Sequence, residues 1–174
     1  MSLPLKLERA VARYLTGVAP YLIGGNGTYL ITDNGLRVTL TSGVQFDFPI
    51  FTGQSTCEVS APCIVAACPL CTQDNTTQCT LNHRCSVEVI LYVPADADPG
   101  GLGTPQELLG FFEYAASQLV QALYRDDLAT QLKLNEPNFT ALFTSGPRSQ
   151  LSGFVDRTRQ FSVTFDVIAT PAVL

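Results

Sequence analysis

Leu7, Val11, Tyr14, Leu15 and Val18 recur at offsets of three, four and seven, which puts them on one face of a helix predicted over about 3–15. Pro4 suits a first helical turn and Gly17 supplies a stop. The stretch Tyr21 to Gly27 holds three glycines and an Asn-Gly pair, which is loop chemistry. From Thr28 the period shortens to that of strands, at 29–31, 37–41 and 44–48, with Asp33-Asn34-Gly35 as a hairpin signal between the first two. An apolar strand follows at 62–68, then a polar loop from Pro69 to Arg84, then a long strand at 85–93. Val87, Val89, Leu91 and Val93 share a face of that strand, so it is predicted to be half-buried.

The loop from Pro94 to Gly103 leads to the clearest helix of the chain. Thr104-Pro105-Gln106-Glu107 is a capping box with proline at the first helical position. Leu108, Phe112, Ala115, Leu119, Ala122 and Leu123 then line one face as far as Tyr124. A short helix is predicted at 127–132, a strand at 139–143, a loop at 145–153 and a last strand at 161–170. In that last strand Phe161, Val163, Phe165, Val167 and Ala169 alternate with Ser162, Thr164 and Asp166. The order predicts an α+β fold, with residues 1–174 as a single domain and a cysteine-rich loop at about 57–85. Its mostly antiparallel sheet is expected to pack against the mid-chain and N-terminal helices.

Composition narrows the class. A chain of 174 residues buries roughly 70% of its unfolded surface on folding, so a core without staples is within reach. Apolar residues make up 46% and charged residues 14%, against a usual charged share of about 25%. Disorder is excluded on that balance. A net charge of −5 removes the basic footprint of a tight nucleic-acid binder. No run of eighteen apolar residues is present, and Met1 to Lys6 lacks the pattern of a signal peptide, so neither a membrane span nor secretion is expected. Low charge density points to a surface of neutral polar residues or one covered by other copies of the chain.

All six cysteines fall between Cys57 and Cys85, with His83, the sole histidine, among them. Cys68-Pro69-Leu70-Cys71 has the tight spacing with which two thiolates reach one tetrahedral zinc. Cys79 and Cys85 complete a candidate metal set of Cys68, Cys71, Cys79 and Cys85, with His83 close by. Three readings stay open: small buried hydrophobes, as Cys63 and Cys68 would be inside an apolar strand, a zinc site, or a disulfide pinning the loop, for example Cys71 with Cys79. A catalytic Cys–His pair lacks a nameable third residue to orient the base.

The other motifs are weaker. Asp96-Ala97-Asp98-Pro99-Gly100-Gly101, with Glu107 at the twelfth position, resembles a calcium loop. A strand precedes it, however, Pro99 interrupts it, and Glu107 is already used in the cap. Asn26, Asn75 and Asn138 head glycosylation patterns that have no meaning without a secretory route. Nucleophile-elbow and phosphate-loop patterns are absent. Arg148, Arg157 and Arg159 form the densest basic patch, beside the last strand. Arginine forks suit bidentate contact with carboxylates, which makes Arg157 and Arg159 candidates for a contact between subunits.

In its order of elements the chain resembles the tail terminator (tail-completion) proteins of long-tailed bacteriophages. The likeness lies in the N-terminal helix, the strand beginning Ser60-Ala61-Pro62-Cys63-Ile64-Val65, a variable loop, the strand 87–93, the helix 108–124 and the final segment from Arg159 to Pro171. The cysteine-bearing loop departs from it. The resemblance implies a hexameric ring that caps the head-proximal end of the tail tube, ends its growth and joins the head connector. It brings no catalytic residues and no cofactor, and it leaves DNA as passing cargo. Its setting would be the virion, after assembly in the host cytoplasm. Between Val38 and His83 the charged residues are Asp47, Glu58 and Asp74, all acidic, which suits a wall that must not hold a duplex. A head–tail connector or neck stopper fits the same features. A soluble zinc-binding adaptor, working through its cysteine loop, is the alternative of another class.

Overall fold

The computed structural model describes residues 2–18, 28–32, 35–39, 45–48, 50–53, 63–74, 82–94, 112–113, 116–117, 119–155 and 158–171. The expectations for the Tyr21–Gly27 loop, Asn26, Cys57, Asn75, Cys79, the Asp96–Gly101 loop, the Thr104–Glu107 cap, Leu108, Ala115 and Arg157 lie outside the described residues.

Helix α1 spans Leu3–Val18. Leu7, Val11, Tyr14 and Leu15 are buried along the predicted face, and Ala10 joins them. The helix runs through Gly17 instead of stopping there. A glycine within a helix costs about 1 kcal/mol relative to alanine, a cost that a fully buried apolar face offsets several times over.

Strands β1 (Thr28–Thr32), β2 (Gly35–Thr39) and β3 (Gln45–Phe48) form an antiparallel sheet in that order. Thr32 stands opposite Gly35, the short closure that the Asp-Asn-Gly pattern predicts. A second sheet of five strands has the order β4-β5-β6-β8-β7, from β4 (Ile50–Thr52), β5 (Cys63–Asp74), β6 (Asn82–Pro94), β7 (Phe139–Val155) and β8 (Thr158–Pro171). Its pairings are antiparallel except for the short parallel contact of β4 with residues 64–66.

Alternation decides which side of this sheet faces the core. Cys85, Val87, Val89, Leu91 and Val93 of β6 stand beside Val163, Phe165, Val167 and Ala169 of β8, and all are buried in one cluster. The helical residues at 112–113, 116–117 and 119–123, labelled α2, cover that face with Phe112, Ala116, Leu119, Ala122 and Leu123. Helix α3 (Leu128–Asn135) adds Leu128 and Leu132. The fold is therefore α+β, with the N-terminal and mid-chain helices on an almost wholly antiparallel sheet. Among the described residues, no helix is long and apolar enough to cross a membrane.

Two expectations are corrected. The polar loop expected from Pro69 to Arg84 is in large part strand, because β5 continues to Asp74 and β6 begins at Asn82. Pro69 is tolerated because the ladder shifts between Ala67 and Leu70, so no hydrogen bond is asked of it. The loop expected at 145–153 lies within β7, whose register shifts between Ser145 and Arg148. Gly146 takes a positive φ of 62° at that shift, where a side chain would be strained. β7 is the outer strand of its sheet, and outer strands accept proline and bulges that inner ones reject.

Candidate functional site

Adjacent residues of a strand point to opposite faces, so Cys68 and Cys71, three apart, should face away from each other. The bulge prevents this. Ala67 stands opposite Glu88 and Leu70 opposite Ser86, so Cys68 and Pro69 together face Val87 alone. The extra residue returns Cys71 to the inner face, directly opposite Cys85, with Cα atoms 4.0 Å apart. Cys71 and Cys85 are joined by a disulfide, Sγ–Sγ 1.99 Å. The Cys68 thiol is unbonded, and the three sulfurs lie within 4.8 Å of one another.

Helix α1 holds the bulge from above. Glu8, only 5% exposed, accepts a hydrogen bond from the Cys68 backbone N–H at Oε1 (2.9 Å). Its Oε2 is buried with no hydrogen-bond partner among the described residues. The Cys68 thiol donates a long hydrogen bond to the Leu70 carbonyl (3.7 Å). Burial pushes this thiol up to about 11, and the Glu8 carboxylate adds to the rise. Cys63 points to the other face of β5, where burial likewise pushes its thiol up to about 11. Thiols so held stay protonated at neutral pH and are poor nucleophiles.

His83 precedes Cys85 by two residues on β6, hence shares its face, and stands opposite Gln73. Its Nδ1 is buried and has no hydrogen-bond partner among the described residues. Of the expected set Cys68, Cys71, Cys79 and Cys85, the structure brings together the first two and the last, while Cys79 lies outside the described residues. The example pairing of Cys71 with Cys79 is overturned, since the antiparallel register sets Cys71 against Cys85.

Arg159 is half-buried and pairs opposite Val93 in the β6–β8 ladder. Arg148, near Asp166 across the β7–β8 hairpin at 3.7 Å, is largely exposed.

Sequence reasoning missed the most connected ionic group. Glu136, just after α3, is 1% exposed. Its Oε2 accepts from Arg9 Nε at 2.9 Å and Arg13 Nη1 at 3.2 Å, and its Oε1 accepts from Asn138 Nδ2. Arg13 Nη1 also donates to the Asn135 carbonyl at 3.1 Å. The spacing of Arg9 and Arg13 by four on a helix was the one local hint. Beside this clamp, the buried Tyr14 hydroxyl donates to the Ala122 carbonyl at 2.6 Å, tying α1 to α2.

A cleft of about 410 Å³ lies among Leu123, Tyr124, Thr144, Pro147 and Phe165. Arg125 at its rim grips Asp127 with two bonds of 2.7 Å and holds that carboxyl below its usual range. No family model matches this chain, and no curated protein matches it.

Proposed function

We propose that the chain is a structural virion protein, a ring that caps the head-proximal end of a phage tail tube, ends tube growth and joins the tail to the head connector. The observation that supports this best is β7. It is the outer strand of the five-stranded sheet over 17 residues, and every side chain from Ser145 to Leu151 is exposed. Phe143 and Leu151 stand 64% and 68% exposed on it. An open edge with large apolar groups invites another chain, and natural proteins cover such edges or block them. A second copy of the chain covers it in a closed ring, where each interface repeats the last. The resemblance in order of elements supplies the phage tail setting. Arg157 and Arg159 are assigned to the same contact, against carboxylates of the neighbouring subunit.

Sedimentation at micromolar concentration and negative-stain images with tail tubes test this reading. Rings of six, alone or on tube ends, are expected. Phe143→Lys with Leu151→Lys should leave stability within about 0.5 kcal/mol, since both positions are exposed, yet abolish rings. Arg157→Glu with Arg159→Glu should likewise impair rings or capping in a chain that still folds. Monomers alone, with no rings on tubes, overturn the proposal.

A further inference from the structure

We propose that, once the Cys71–Cys85 bond is reduced, Cys68, Cys71, Cys85 and His83 bind one thiophilic divalent cation, with zinc the fitting ion, in a tetrahedral Cys3His site. The site is independent of the assembly reading.

Four observations carry it. The sulfurs of Cys68, Cys71 and Cys85 lie within 4.8 Å of one another, and ligands about 2.3 Å from a shared tetrahedral zinc stand about 3.8 Å apart. A disulfide uses only two of these thiols and leaves Cys68 beside them unbonded. The bulge between Ala67 and Leu70 is what delivers both ends of the Cys68–Cys71 pair to one face. The backbone at Cys68 is then fixed from α1 by the buried Glu8 carboxylate, at 2.9 Å from the Cys68 nitrogen. Finally, buried polar atoms nearly always have partners, and His83 Nδ1 has none among the described residues. The His83 ring, two residues from Cys85 on the same face of β6 and outside the group of three sulfurs, carries a nitrogen donor of the kind zinc takes. His83 thus replaces Cys79 in the set expected from sequence.

The chemistry balances. A phosphine reductant gives two electrons to the Cys71–Cys85 bond. The phosphorus takes oxygen from water to become the phosphine oxide, and the two hydrogens of that water end on the sulfurs. The ion then displaces one proton from each of three thiols into solvent and takes a ring-nitrogen lone pair of His83. The filled site bears a net charge of −1, from three thiolates and one divalent ion.

The test uses the full chain, kept reduced with a phosphine, and titrates it with cobalt(II) and with zinc. One cobalt per chain is expected, with the strong visible bands of tetrahedral coordination and a sulfur-to-metal charge-transfer intensity of three thiolates; one zinc should displace it. Cys68→Ser and His83→Ala should each weaken binding at least about tenfold, the loss that even outer partners of a metal site produce. Cys57→Ser, Cys63→Ser and Cys79→Ser should bind as the parent does. A reduced parent that takes up no stoichiometric metal overturns the proposal. So does unchanged affinity in Cys68→Ser or His83→Ala, loss of binding in Cys79→Ser, or a parent spectrum with two or four thiolates. That spectrum decides the matter even if a variant fails to fold.

Discussion

Replacing Glu136 by glutamine keeps the shape of a side chain that is 1% exposed and removes its charge. The two contacts from Arg9 and Arg13, at 2.9 and 3.2 Å, then become bonds to a neutral acceptor. Charge-assisted hydrogen bonds contribute about 1.5–3 kcal/mol each and neutral ones about half that. The Arg9 and Arg13 side chains are 36% and 52% exposed, so water recovers part of the loss. The expected cost is about 1–3 kcal/mol. The opposite perturbation, Arg9→Met with Arg13→Met, leaves the carboxylate buried without its cations, for which about 3–5 kcal/mol is the usual penalty. Adding Glu136→Leu to that pair should restore much of the stability, because the unpaired charge is then gone. Urea unfolding reads all three as shifts in midpoint at constant slope. If Glu136→Gln costs as much as the double arginine variant, or the triple variant is the least stable, the clamp is not a buried charge held by its partners.

Phe112, 3% exposed in the core, should cost about 3–5 kcal/mol as Phe112→Ala, while Thr104→Ala, in the cap expected from sequence, should cost about 1 kcal/mol; equal small effects in urea unfolding would place α2 on the surface. The Cys63 thiol is raised from 9.0 to about 11 in the folded chain. Between those values the folded chain holds a proton that the unfolded chain has lost, so stability falls as pH rises from 9 towards 11. Cys63→Ser should flatten that part of the urea midpoint profile, and parallel profiles for parent and variant would refute it.

Elements with one buried face were legible in the sequence, because burial forces a regular pattern. The face of α1 and the alternations of β6 and β8 follow from this. What stayed illegible was strand continuing through proline and glycine, at Pro69 in β5 and at Gly146-Pro147 in β7. Local propensity stops a strand there; only a distant partner strand, with a shift in register, keeps it going. The cysteines were legible as a cluster but not as a face. A strand offset of three separates Cys68 from Cys71 until the bulge is known. Glu136 was invisible because its arginine partners are 127 and 123 residues away in the chain.

That separation bears on synthesis. The buried face of α1, with Leu7, Val11, Tyr14 and Leu15, packs against β5 and α3, and its arginines close on Glu136. A ribosome adding roughly 5–20 residues per second takes roughly 6–25 s to travel from the end of α1 to residue 136. Through that interval the helix can seat against β4 and β5, but its arginines have no Glu136 carboxylate to close on. The β5–β6 and β7–β8 hairpins close over short loops, whereas joining Arg9 to Glu136 spans a separation of 127 residues and has to come late. In the nascent chain, the segment made first is among the last to complete its contacts, and until then the part of its apolar stripe that α3 covers is open to a chaperone or a neighbouring nascent chain.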